Sequence, residues 1–156
     1  MTIHDIVIIL VHLALAAVGV WLIVLDAREH RLPNRIVLPV LASLVVLLIA
    51  DALVLGETAR LWRSLLGMLL LTSFYLVLRW ASRRGIGGGD VKLAAVVGLL
   101  LAWHGWTPLV VGAAAAFVLA SLYALGLMAV RRANRQTRIA FGPWMIIGTA
   151  LGIVMV

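Results

Sequence analysis

Hydrophobic residues occur in six long runs separated by short polar connections, and this pattern predicts an all-helical integral membrane protein. A transmembrane helix needs about 20 consecutive, mostly apolar residues. We therefore expect one domain over residues 1–156, built as a bundle of six transmembrane helices. The fourth and sixth runs are short, and such spans are tolerated where irregular backbone is buried in protein or lines a wet cavity. The runs lie at about residues 3–25, 36–55, 61–80, 91–106, 108–130 and 140–156.

The composition agrees with a membrane location and excludes several kinds of chemistry. Of the 156 residues, 65% are hydrophobic and 12% are charged, whereas ordinary soluble domains carry about 25% charged residues. The chain has no cysteine, so it forms no disulfide and no thiolate metal site. Its four histidines lie on different segments, so we expect no metal site, and no motif implies a cofactor. The histidines are His4, His12, His30 and His104.

The basic residues predict the orientation of the chain. The formal net charge of +7 would suggest a nucleic-acid partner in a soluble protein. Here the basic residues lie between apolar runs, so we interpret them as signals that set the membrane topology. We expect membrane lipid, and not nucleic acid, as a partner. Eleven lie on one side and two, Arg60 and Arg63, on the other. Because basic loops stay in the cytoplasm, we expect both termini to lie outside the cytoplasm. We expect the protein itself to lie in the cell inner membrane. The eleven are Arg28, Arg31, Arg35, Arg79, Arg83, Arg84, Lys92, Arg131, Arg132, Arg135 and Arg138.

Two aspartates are predicted to lie at the same membrane edge. Asp26 ends the first apolar run, and Asp90 precedes the fourth. Two spans separate them, so both acids return to the cytoplasmic side, where they are able to meet. An acid beside a membrane span is costly and marks a functional site by default. The alternatives are that Asp26 is a solvated loop acid among arginines and that Asp90 is an N-cap or first-turn residue favoured by the helix dipole.

Three glycines, Gly87, Gly88 and Gly89, directly precede Asp90. Capping needs one acceptor oxygen and does not require this run. Glycines at these positions let another backbone approach closely or let the loop adopt positive φ values. We interpret this as space for an extended substrate. After the first run, Pro33 and Asn34 are typical of a turn, and Asn34 is able to cap the next helix.

A pair of carboxylates supports peptide hydrolysis without a metal or a covalent nucleophile. One ionised acid draws a proton from water, while the other, protonated, polarises the scissile carbonyl. Like charges held close together do not both ionise readily, so such a pair shares a proton and titrates as a unit. The residues therefore favour an aspartic endopeptidase with Asp26 and Asp90 as the catalytic pair.

Three motifs in this order resemble the type IV prepilin peptidases, which are membrane aspartic proteases of the GxGD type. They are Asp26 followed by Leu32-Pro33-Asn34, then Gly87-Gly88-Gly89-Asp90-Val91-Lys92-Leu93, and then Phe141-Gly142-Pro143. The resemblance implies cleavage of the short basic leader of type IV pilin-like precursors, just before their hydrophobic helix, at the cytoplasmic membrane face. It makes Asp26 and Asp90 catalytic. The other motif residues are Pro33, Asn34, Gly87, Gly88, Gly89, Lys92, Gly142 and Pro143.

The chain resembles the short form of this family. Longer members carry an N-terminal segment with paired cysteines that accompanies N-methylation of the new pilin terminus. This chain has no cysteine, and 25 residues precede Asp26. The resemblance therefore implies the peptidase-only form found with tight-adherence pilus systems, without methyltransferase activity.

Two other classes of protein use similar features. In a transporter or proton-conducting bundle the same acids would carry ions, although paired acids deep in the spans and an inverted repeat would be expected there. In a non-catalytic membrane subunit of a secretion machine, Asp90 would be a cap and the basic loops would dock partners.

Overall fold

In a computed structural model, the described residues of the chain form six α-helices. The structure describes residues 3–29, 33–82, 86–131 and 140–155, and in α1 it describes side chains from Leu10 to Asp26. The Leu32 position of the first motif and the cluster Arg132, Arg135 and Arg138 lie outside these residues. The helices are α1 (Ile3–Glu29), α2 (Asn34–Leu55), α3 (Thr58–Ala81), α4 (Gly88–His104), α5 (Trp106–Ala129) and α6 (Gly142–Val154).

The helices follow the apolar runs, and the all-helical membrane class is confirmed. The described residues contain no strand. Among the residues that the structure describes, three helices, α2, α3 and α5, are long and apolar enough to cross a bilayer, and Leu10–Asp26 and Gly142–Val154 are shorter apolar helical stretches. The chain is therefore a multi-pass membrane protein, and the count of six spans stays a prediction.

Helix α4 forms the centre of the bundle. It contacts α2, α3, α5 and α6, with its largest interface against α3, and every residue from Leu93 to Leu99 is buried. At the α3–α4 crossing a Cβ on Gly98 would lie 2.6 Å from the Gly67 carbonyl oxygen. Small residues let membrane helices approach this closely. The two glycines therefore fix how α4, and with it Asp90, sits against α3.

Helices α5 and α6 pack in the same way. A Cβ on Gly148 would lie 2.5 Å from the Gly112 carbonyl oxygen, so these two backbones are also in direct contact. Helix α1 packs chiefly against α6. Helix α2 packs against α4 and α3, so α1 and α2 are held by different neighbours.

Candidate active site

Asp26 is buried in the last turn of α1. Its side chain is 4% exposed, and its Oδ2 accepts a hydrogen bond of 3.1 Å from the Gly142 N–H. Gly142 is the first residue of α6, so this N–H is one of the helix-terminal donors that lack an intrahelical partner. A helix N-terminus also favours a negative charge. The interpretation of Asp26 as a solvated loop acid is wrong, because the start of α6 covers it.

Asp90 is buried in the first turn of α4, with 8% of its side chain exposed. Its Oδ2 accepts a 3.1 Å hydrogen bond from the Gly87 N–H. Asp90 is thus a first-turn acid, as one alternative from the sequence predicted. Its carboxylate pairs with the N–H of the residue that precedes the helix. This contact uses one carboxylate oxygen, so a first-turn role and a catalytic role are compatible.

The two aspartates lie at the same end of the bundle and interact electrostatically. Asp90 precedes the apolar part of α4, and its pKa is raised from 3.8 to about 6. Burial is the largest cause and the negative charge of Asp26 is the second, while the Gly87 N–H and the charge of Arg79 act in the opposite direction. Burial and a nearby negative charge both raise the pKa of a carboxyl, so it keeps its proton at higher pH. Carboxylate pairs use this arrangement for acid and base chemistry.

Gly87 leaves room for the Asp90 carboxylate, and the three glycines before Asp90 do not adopt an unusual backbone. Gly87 has φ −64° and ψ 146°, and Gly56 and Gly105 are the glycines with positive φ in the described part of the chain. The positive-φ explanation is therefore wrong for Gly87, Gly88 and Gly89. A Cβ on Gly87 would lie 3.1 Å from Asp90 Oδ2, so a side chain there would crowd the acid.

The start of α2 is tied to the start of α4. Lys92 Nζ donates a hydrogen bond of 2.5 Å to Asn34 Oδ1. The prediction that Asn34 caps α2 is wrong, because Pro33 occupies the N-cap position without a side-chain cap and Asn34 is the first helical residue. The Pro33 carbonyl accepts the N–H groups of Ile36 and Val37, while the Asn34 oxygen accepts from Lys92 instead.

The last motif places a proline where a helix tolerates it. Gly142 is buried, and Pro143 lies within the first two residues of α6, where a missing N–H costs nothing. Phe141, which precedes the helix, contacts Tyr75 and Phe117 with ring centroids 5.8 and 5.0 Å away. This aromatic cluster holds the start of α6, and so the N–H that reaches Asp26.

Sequence reasoning missed two residues of α3 that border the site. Tyr75 is 1% exposed and interacts electrostatically with Asp90. Arg79 donates a 2.7 Å hydrogen bond to the Ile86 carbonyl, which lies just before Gly87. Residues four apart share a helix face, so Tyr75 and Arg79 both point to the start of α4. That four-residue spacing is the signal that the sequence offers for the pair, whereas the count of basic residues alone assigns Arg79 to topology.

The part of the chain that the structure describes has no group of three or more His, Asp or Glu residues placed to hold a metal ion. His12 and His104 do approach each other, with 3.4 Å between their Nε2 atoms. They lie at the end of the bundle opposite Asp26 and Asp90.

Comparison with known proteins shows which family the chain resembles. Residues 13–130 match the type IV leader peptidase family. The chain is 33% identical over 145 residues to a prepilin leader peptidase/N-methyltransferase of Dickeya chrysanthemi, which covers 91% of this chain and 50% of that protein. It is 30% identical over 138 residues to the leader peptidase HopD of Escherichia coli, covering 83% of each. No solved structure matches the chain.

The chain belongs to the type IV leader peptidase family. The resemblance carried by the three motifs is thereby confirmed. The chain spans about half the length of most of the curated relatives it matches, as with 45% of the Aeromonas salmonicida protein. Of HopD, which is named a leader peptidase, the chain covers 83%.

Proposed function

We propose that this chain is a membrane aspartic endopeptidase that removes the leader peptide of type IV pilin-like precursors. The observation that carries the proposal is the pair Asp26 and Asp90, two buried aspartates that reach the same end of the bundle from α1 and α4 and interact electrostatically. Membership of the type IV leader peptidase family supports the substrate. The expected orientation puts this end at the cytoplasmic face of the inner membrane, with six spans and both termini outside.

The two acids have different roles in this mechanism. Because its pKa is raised to about 6, we assign the shared proton to Asp90, which donates it toward the oxygen of the scissile carbonyl. Asp26, whose carboxylate accepts the Gly142 N–H, takes a proton from the attacking water. The water oxygen bonds to the carbonyl carbon and gives a tetrahedral diol. The C–N bond then breaks as Asp26 passes its proton to the leaving amine and one hydroxyl of the diol returns a proton to Asp90. General acid–base catalysis of this kind contributes about 10² to 10⁴ in rate.

The test is cleavage of a type IV pilin precursor in detergent by the parent chain, by Asp26→Asn and by Asp90→Asn. We expect each substitution to lower the cleavage rate by about 10³ or more, because neither acid alone supplies both proton transfers. Glu57→Gln is the matched control, because Glu57 lies in the connection between α2 and α3, where it pairs with Arg60. It should cut like the parent.

Size-exclusion profiles of all four proteins separate loss of chemistry from loss of fold. Cleavage that survives either aspartate substitution would remove the proposed mechanism. Ion flux that depends on the same acids, without cleavage of any precursor, would instead favour the transporter. An assembled chain with neither activity would favour the non-catalytic subunit.

A further inference from the structure

An apolar cleft runs between α1 and α2. Three adjoining cavities of about 240, 280 and 80 Å³ line up along it, and Leu15 of α1 borders all three. The inner wall comes from α4 and α6 through Leu93 and Ile146. The cleft exists because α1 packs on α6 while α2 packs on α4 and α3.

The walls of this α1–α2 cleft lead to the two aspartates. On α1, Leu22 and Val18 line the cleft and lie four and eight residues before Asp26, on the same helix face. On α4, Leu93 and Val97 line it and lie three and seven residues after Asp90, again on one face. Each wall therefore leads along its helix to one of the two aspartates. A substrate chain that extends from the aspartates into the bilayer would enter the cleft.

We propose that the α1–α2 cleft binds the hydrophobic helix of the substrate that follows the scissile bond. This inference rests on the proposed function and assigns its substrate-docking surface. The 240 Å³ cavity, which α1, α4 and α6 border, is lined almost entirely by apolar side chains, so it suits an apolar helix and not the basic leader. A lipid chain would also fill an apolar groove, but the helix faces that line the groove carry Asp26 and Asp90 at one end, which favours a segment covalently joined to the bond that is cut.

The depth of the cleft defines how much of that helix it holds. At the far end the cleft becomes polar, with His12, Asp51 and His104 on its walls. From Leu22 to His12 the helix α1 rises about 15 Å at 1.5 Å per residue, which is about half of a hydrocarbon core of about 30 Å. The cleft thus accommodates about the first 10 residues of the bound helix.

Matched positions on α1 and α2 allow a direct test. Ala14 and Ser43 line the mouth of the cleft, whereas Ala17 and Ala42 are exposed on the same helices and do not line it. A photo-reactive p-benzoylphenylalanine is placed at each position in turn. The probe is a type IV pilin precursor that carries its leader and its apolar helix, labelled at its carboxyl end, in detergent with added phospholipid.

We expect crosslinks from positions 14 and 43 to the first ten residues of the precursor helix, and few from positions 17 and 42. Ala14→Trp should also lower kcat/KM for the precursor by about tenfold, the equivalent of one lost apolar side-chain contact, and Ala17→Trp should not. Crosslinks to lipid alone, to a second copy of this chain, or equally from all four positions would overturn the docking surface.

The proposed function and the docking surface fail differently in this design. If cleavage depends on Asp26 and Asp90 but positions 14 and 43 reach only lipid, the cleft proposal is wrong and the peptidase stands. If the precursor helix crosslinks at 14 and 43 but no variant or parent cuts it, the cleft binds this partner and the peptidase proposal is wrong.

Discussion

Helices α4 and α1 each bring one aspartate to the same end of the bundle, but their surroundings differ. Helix α4 is enclosed by four neighbours, and its backbone meets α3 at Gly98. Helix α1 rests mainly on α6 and exposes side chains such as Leu13 and Val20. Asp90 therefore lies on a tightly packed helix. Asp26 lies on the helix that borders the proposed substrate cleft.

The largest loss of stability should come from adding one methyl group to the tightly packed helix α4. In Gly98→Ala the new Cβ would lie 2.6 Å from a backbone oxygen of Gly67, whereas in Gly19→Ala on α1 it would lie 3.1 Å from a side-chain methyl of Ile146. A side-chain methyl moves away from a new Cβ more easily than a backbone oxygen of a packed helix does. We expect Gly98→Ala to cost about 1–3 kcal/mol or more and Gly19→Ala less than 1 kcal/mol.

Thermal unfolding in detergent measures this difference, and Gly126→Ala on α5 is its control. Outside the helix's own backbone, no atom of the described residues lies within 4 Å of a Cβ at that position, so the variant should match or exceed the parent because alanine favours helix. Equal losses for Gly98→Ala and Gly19→Ala would show that α1 is packed as tightly as α4.

The next effect concerns the cost of holding Asp90 in its buried position. Because the folded-state pKa is raised from 3.8 to about 6, the folded chain binds this proton more tightly than the unfolded chain. The stability contribution is complete below about pH 4 and is lost as pH rises through 6. Asp90→Asn should therefore be more stable than the parent at pH 7.5, by on the order of 3 kcal/mol at most, and no more stable at pH 4.

Melting temperatures of the parent and of Asp90→Asn across pH 4 to 8 provide the measurement. At about 2–4 °C per kcal/mol for a chain of this size, the two curves should separate by several degrees above pH 6. Parallel curves would mean that Asp90 carries no raised pKa and is held like an ordinary first-turn acid.

The smallest effect should come from the link between α2 and α4. Asn34→Ala removes the acceptor of the Lys92 hydrogen bond, which is exposed to solvent, so we expect a loss of about 1 kcal/mol or less. Lys92→Met in the same background should add little, because the two side chains act through one contact. Additive losses in a double-mutant cycle would show that Lys92 has another partner at the site.

Much of the fold could be predicted from hydropathy, because bilayer thickness sets helix length. Helix α3 begins at Thr58 and ends at Ala81, within three residues of the predicted run, and α4 and α6 are the short helices. The placement of Asp26 and Asp90 at the same end of the bundle could also be predicted, since an even number of helices separates them.

The remaining site contacts join segments that are distant in sequence, and local patterns do not report them. The Gly142 N–H reaches Asp26 across 116 residues, and the Asn34 side chain bonds to Lys92 instead of capping its own helix. The α1–α2 cleft depends on which helices pack together, and hydropathy does not encode that choice. Tyr75 had no motif to mark it.

The most direct test of the central claim is the titration of the Asp90 carboxyl in the parent and in Asp26→Asn, followed by infrared or ¹³C spectroscopy with labelled aspartate. If the two acids act as a unit, the pKa of Asp90 lies near 6 in the parent and falls in Asp26→Asn, because a like charge has been removed while burial remains. The same Asp90 pKa in both proteins would contradict the account, because the two carboxyls would then titrate independently.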